Sequence, residues 1–186
     1  MCAYALGDIA VTEESVSLLL EATYPPTGDR APSAIDALGR VGLSPERVVP
    51  RLIEFIDQFS EPDPDWTYHG SHSRIVYALR NFGADANRAI SKLAKCIWTT
   101  NGEPPASSAA PTEGSELDED VVKFLSTRGP AAREALPALL QARTEMIRRG
   151  LKNRESEGSD EDEGPFNDDD YVPNYLQEAI QKIRNE

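Results

Sequence analysis

The stretch Asp36-Ala37-Leu38-Gly39-Arg40-Val41-Gly42 decides how this chain is read, because its pattern returns. Tyr77-Ala78-Leu79-Arg80-Asn81-Phe82-Gly83 repeats it. Phe124-Leu125-Ser126-Thr127-Arg128-Gly129 repeats it again, with Arg128 where an apolar residue is expected. Each copy places a glycine four residues after a leucine. A fourth, Tyr4-Ala5-Leu6-Gly7-Asp8-Ile9-Ala10, ends in alanine instead. The segment after each glycine also recurs. Pro50 and Pro137 lie eight residues beyond Gly42 and Gly129, with Ser91 in that slot after Gly83. Leu52, Leu93 and Leu139 lie ten residues beyond the same three glycines.

The pattern has a helical reading. Ala34, Ile35, Leu38 and Val41 share one stripe of a helix, as do Val76, Leu79 and Phe82. Ala37 and Ala78 keep the flanks small, so a neighbouring helix can approach. The glycine supplies the left-handed residue that ends a helix. Ser44 or Thr12 then caps the next helix, with Pro45 or Glu13 in its first turn. A proline within that next helix lacks an N–H and tilts the axis. Both helices of each pair carry an apolar stripe, and stacked neighbours bury it. Helices are expected over 2–9, 13–23, 30–41, 45–59, 71–82, 85–99, 118–128, 131–149 and 172–184.

These segments resemble the HEAT-repeat family, particularly its bacterial variety related to phycobilin-lyase-type repeats, whose unit reads "ALG-x-I-G" followed by "A-V-P-x-L". The resemblance covers nearly the whole chain outside two acidic segments. It implies an all-α fold, an α-α superhelix (an armadillo/HEAT-like solenoid) of about four to five helix pairs forming one domain over 1–186. The first helix begins inside a unit, so Cys2, Leu6 and Ile9 lack a neighbour on one side. That points to a longer solenoid, to self-association through this face, or to a fraying end.

Charge is unevenly spread. The net charge is −13; residues 101–120 carry −6 and residues 151–170 carry −7, so the rest of the chain is neutral. A neutral body with acidic loops argues against nucleic acid, which calls for a basic groove. No apolar run approaches the ~20 residues of a membrane span. Two cysteines, Cys2 and Cys96, without a Cys-x-x-Cys, suit ordinary thiols in a reducing cytoplasm. Disordered inserts are expected at 101–117, with its Pro/Ser/Ala composition, and at 151–170.

The glycine-marked turns are short, whereas the alternate connections are long and grow along the chain. Alternation puts all the long loops on one edge, where repeat proteins commonly bind. Tyr24, Trp66, Tyr68, Trp98, Phe166 and Tyr171 lie in or beside these loops. They read either as interface anchors or as covers for helix ends. The second helices of the pairs offer a mildly basic row that includes Arg40, Arg74 and Arg80.

Chemistry leaves few marks. His69 and His72 lack a third ligand at a fitting spacing, and two exposed histidines beside a capping Ser71 explain them. The acidic run starting at Asp160 fails the calcium-loop template, with Pro165 and Tyr171 in the slots for glycine and glutamate. No nucleophile elbow or phosphate loop is present. The expectation is a non-enzymatic protein-binding scaffold without cofactors, catalytic residues or metal. Its partner is another protein, basic in character. The expected contact residues are Arg40, Trp66, Tyr68, His72, Arg74 and Arg80, with Asp160, Glu161, Asp162, Glu163, Asp168, Asp169 and Asp170 as an acidic arm. Two alternatives stand beside it: a subunit of a HEAT-like lyase or bilin-like ligand binder, and the terminal part of a longer structural solenoid.

Overall fold

A computed structural model describes residues 12–24, 30–58, 71–100, 115–157 and 168–185. Eight α-helices are described: α1 (Glu13–Ala22), α2 (Arg30–Val41), α3 (Pro45–Gln58), α4 (Ser71–Arg80), α5 (Ile90–Leu93), α6 (Glu119–Thr127), α7 (Leu136–Glu157) and α8 (Asn174–Arg184). The expected helix 2–9, with Cys2, Leu6 and Ile9, lies outside the described residues.

The repeat marks the core. Leu38, Leu79 and Leu125 are fully buried, as are Ile35, Val76 and Phe124 beside them. Gly42, Gly83 and Gly129 all have positive φ, at 63°, 51° and 51°, so each reverses the chain in the left-handed conformation that a side chain resists. α2, α4, α6 and α8 pack in that order in one rank. α1, α3, the segment around α5, and α7 form the other rank.

The local details have identifiable causes. Thr12 caps α1 as expected, in a reciprocal box with Ser15: Ser15 N–H donates to Thr12 Oγ1 at 3.2 Å and Thr12 N–H to Ser15 Oγ at 3.0 Å. Ser44 is not an extended cap; its φ is 52° and its hydroxyl donates to Glu13 Oε2 at 2.5 Å, tying α3's start to α1's. After Gly83 and Gly129 the chain winds first as 3-10 helix (Gly83–Ala89 and Gly129–Ala135). It becomes α-helical at Ile90 and Leu136, the same point of the repeat in both units. Finally, Trp98–Thr100 (β1) pairs antiparallel with Ser115–Leu117 (β2), Trp98 opposite Leu117, where the sequence led one to expect helix and disordered insert.

The second insert is also shorter than expected. α7 runs through Gly150 to Glu157, and a 3-10 turn covers Asp168–Tyr171. The remaining insert residues, 101–114 and 158–167, lie outside the described residues. No helix among the described residues is long and apolar enough to cross a membrane.

Candidate functional site

The exposed face of the α2/α4/α6 rank is built from charge pairs that cross between helices. Arg74 Nη1 on α4 donates to Asp36 Oδ2 on α2 at 2.6 Å. Arg80 Nη2 at the end of α4 lies 3.7 Å from Asp120 Oδ1 on α6. Lys123 pairs with Glu119 one turn back along α6. Arg40 is exposed and acts on Asp36 from the same helix. Burial raises the Asp36 carboxyl above its ordinary range, and Arg74 and Arg40 pull against that rise. In the basic row seen in the sequence, Arg74 and Arg80 are therefore ion-paired and join successive helices. Surface pairs of this kind contribute little stability each, roughly 0–1 kcal/mol.

On the same helix as these two arginines, Tyr77 is 60% exposed, one of four large apolar side chains left in solvent among the described residues. It sits on α4 between Arg74 and Arg80, whose pairs flank it. Sequence reasoning misses it because it belongs to the repeat motif and blends into the helix pattern. Its signal is its position, off the Val76/Leu79 stripe.

His72 is a correction. The sequence suggests an exposed contact residue, but it is 3% exposed, within α4 and one turn before the buried Ile75 and Val76. Ser71 is the first residue of that helix rather than its cap. The imidazole Nδ1 lies 3.6 Å from Asp118 Oδ2. Asp118 is held by both ends: its Oδ1 caps α6 by accepting from Val121 N–H at 3.1 Å, and its own N–H donates to Ile97 O at 2.8 Å. Burial disfavours the imidazolium, but the Asp118 carboxylate and the neighbouring Cys96 sulfur outweigh it and raise the His72 pKa to about 9. His72 Nε2 is buried with no hydrogen-bond partner. Cys96 is buried and forms no disulfide, and its Sγ donates to Lys92 O at 3.5 Å. This group joins α4, the end of the α5 segment and the start of α6 in the interior, and it offers a partner no surface.

The expected aromatic anchors divide. Trp98 is buried, with the Arg149 guanidinium 4.8 Å from its ring. Arg149 and Arg148 both donate to Glu145, whose carboxyl these bonds, led by Arg148's, hold down at about 2. Tyr171 covers Gly150 of α7. These two are helix covers. Tyr24 is exposed, but Arg51 stacks on it at 3.7 Å. Trp66, Tyr68 and Phe166 lie outside the described residues, as do Asp160, Glu161, Asp162 and Glu163. Asp168 and Asp169 belong to the 3-10 turn that Asp170 continues, and Asp170 is exposed. The other acidic stretch is partly spoken for: Asp118, Glu119 and Asp120 face His72, Lys123 and Arg80.

Two edges can be distinguished by their contacts. On one, successive glycine turns meet. Asn81 Nδ2 donates to Gly39 O at 2.9 Å, satisfying a carbonyl in the last turn of α2. Arg128 Nη1 donates to Gly83 O at 2.6 Å while its guanidinium lies over the Phe124 ring at 4.3 Å. This explains why the third unit departs from the apolar pattern at Arg128. Along the other edge lie the buried His72–Asp118 contact, the β ribbon and the Gly150–Tyr171 contact.

Among the described residues, no group of three or more His, Cys, Asp or Glu side chains is arranged to hold a metal ion. Comparison with protein-family models, with curated proteins and with solved structures returns no match.

Proposed function

We propose that this chain is a non-enzymatic protein-binding adaptor of the HEAT-repeat type, whose recognition face is the α2/α4/α6 rank and the long-loop edge beside it. Tyr77 carries the reading. An exposed aromatic with ion-paired arginines three residues to either side suits the anchor of a protein interface: the ring supplies area at low entropic cost, and the flanking pairs form part of a polar rim. The solenoid reading draws support from the packing order of the helices and from the three left-handed glycines at equivalent places. The sign of the partner comes from the loops. With Asp118, Glu119 and Asp120 occupied within the fold, most of the remaining acidic excess falls on 151–170, and such a charge favours a basic protein or peptide.

The test places a photo-crosslinking phenylalanine analogue at position 77 and, as control, at the exposed position 46 on the other rank. A discrete adduct from position 77 alone, weakened by deleting residues 158–167 and by salt, is the expected result. Equal labelling from both positions, or none from position 77, refutes the reading.

A further inference from the structure

α2 is covered more widely than its described neighbours explain. Eight of its twelve residues are buried, from Ala37 and Val41 round to Gly39 and Pro32. At 3.6 residues per turn they span about 220° of the helix. α1, the first helix of the other rank, buries only Ser15, Val16 and Leu19, an arc of about 100°, and leaves Leu18 half exposed. α1 thus has the covering of an end helix, and α2 that of an inner one.

The excess lies on the side turned away from α4. Gly39 meets Ala78 of α4. Ala37 stands about 160° round the helix from Gly39, yet it is 2% exposed, and Ala34 beside it is fully buried. α4 follows α2 in the rank and α1 packs on α2 from the other rank; among the described residues, no helix precedes α2 in its own rank. Ala78 holds the same place in the repeat as Ala37, one residue before the leucine. Its cover is the glycine of the helix before it. By the same packing, Ala37 calls for a helix before α2 with a glycine opposite.

Ala-Leu-Gly occurs twice in the chain, at Ala37-Leu38-Gly39 and at Ala5-Leu6-Gly7. Residues 1–11 lie outside the described residues, and the fold is joined at Thr12, the cap of α1. The next residue, Glu13, accepts from Ser44 and pairs with Arg47 at the start of α3. The chain before Thr12 therefore enters beside the turn where α2 ends. The connections 25–29 and 59–70 instead join α1 to the start of α2 and α3 to the start of α4. We propose that residues 4–10 dock along the far side of α2 as one more member of its rank, with Gly7 against Ala37 as Gly39 lies against Ala78. As helix these seven residues extend about 10 Å, which matches the stretch from Ala34 to Val41. The inference does not rest on the adaptor reading, but it adds a member to the rank that carries Tyr77.

The experiment uses the full chain with Ala37→Cys and reads the rate at which iodoacetamide modifies position 37, by peptide mass spectrometry. Reaction should be slow, and at least tenfold faster once Leu6→Asp/Ile9→Asp is added to release the segment. Buried Cys96 reports on folding and should stay slow in both chains. Glu46→Cys, at an exposed position, should react quickly in both. Where Cys96 also becomes reactive the chain has unfolded, and a mutant cycle decides instead. Gly7→Ala should raise the unfolded-to-folded ratio at least fivefold in the parent and at most twofold beside Ala37→Gly. Fast reaction at position 37 in the otherwise unaltered chain overturns the proposal, as does a rate that the two aspartates leave unchanged. Protection that is lost on dilution also overturns it, because the cover is then a second copy of the chain. So does a cycle without coupling.

Discussion

Gly39 of α2 lies so close to Ala78 of α4 that a Cβ built on it would sit 2.5 Å from the Ala78 Cα and 2.7 Å from its Cβ. The helices touch backbone to backbone. Glycine inside a helix costs about 1 kcal/mol against alanine, so this residue gives up local stability for the close approach. Both residues come from equivalent segments of adjacent units, which makes the contact a property of how one unit packs on the next.

Gly39→Ala should therefore destabilise the protein despite its better helix propensity. Overpacking against backbone costs typically 1–3 kcal/mol, and a loss of about 2 kcal/mol by urea unfolding is expected. Adding Ala78→Gly removes the Cβ obstacle but leaves the nearer Cα, so the rescue should be incomplete. A Gly39→Ala variant as stable as the parent would mean that the helices can separate freely.

The helices are legible in the sequence because their cause is local and periodic. Leu38, Leu79 and Leu125 announce a buried stripe, and the glycines beyond them end each helix in the left-handed conformation. The parts that are not legible have tertiary causes. Nothing near Gly150 says that α7 continues through it; the Tyr171 ring, twenty-one residues on, takes the space a side chain would fill. The β ribbon depends likewise on Trp98 meeting Leu117 across a long connection.

At the site, Arg74 and Arg80 can be read as surface residues, but not their acidic partners on neighbouring helices. His72 misleads because Tyr68-His69-Gly70-Ser71-His72 looks polar as a string. The countervailing clue is periodicity, since His72, Ile75, Val76 and Leu79 fall at helical spacings on one buried stripe.

The contact of buried His72 with Asp118 has a pH consequence. Its folded pKa, about 9, exceeds its ordinary 6.5. The stabilisation is therefore complete below about pH 6.5 and is lost as pH rises towards 9. The shift corresponds to about 3 kcal/mol at most. Urea titrations between pH 6 and 9.5 should show stability falling across that window, and His72→Gln should remove most of the slope. Cys96→Ala should flatten the slope in part, because the sulfur is one of the groups that raise the His72 pKa. A slope unchanged in His72→Gln would assign the effect to other groups.

Arg51 is the second buried cation. Its Nε donates to Thr23 Oγ1 at 3.0 Å and its Nη2 to Thr23 O at 3.1 Å, joining α3 to the end of α1. Nη1 reaches Glu54 Oε2 at 2.6 Å, and the guanidinium stacks between Tyr24 and Phe55. Arg51→Met should cost about 2–4 kcal/mol, because it strands buried acceptors that had a charged donor. Arg51→Lys should recover only part of this, since an ammonium cannot reproduce the planar fork. Full recovery by lysine in thermal melts would show that charge alone matters there.

Gly150 and Tyr171 allow a test in which the sign itself changes. A Cβ on Gly150 would lie 2.0 Å from Tyr171 Cδ1 and 2.3 Å from Cγ. The obstacle is a side chain, so Gly150→Ala must push the ring aside and give up its packing on α7. A loss of about 1 kcal/mol is expected in the parent. In a Tyr171→Ala background the obstacle is gone and only helix propensity remains, so the same substitution should stabilise by about 0.5–1 kcal/mol. The double-mutant cycle isolates the contact from the propensity. The same sign in both backgrounds would show that Tyr171 does not rest on α7 in solution. The turn holding Asp168, Asp169 and Asp170 would then lose the anchor that fixes the acidic arm's far end beside α7.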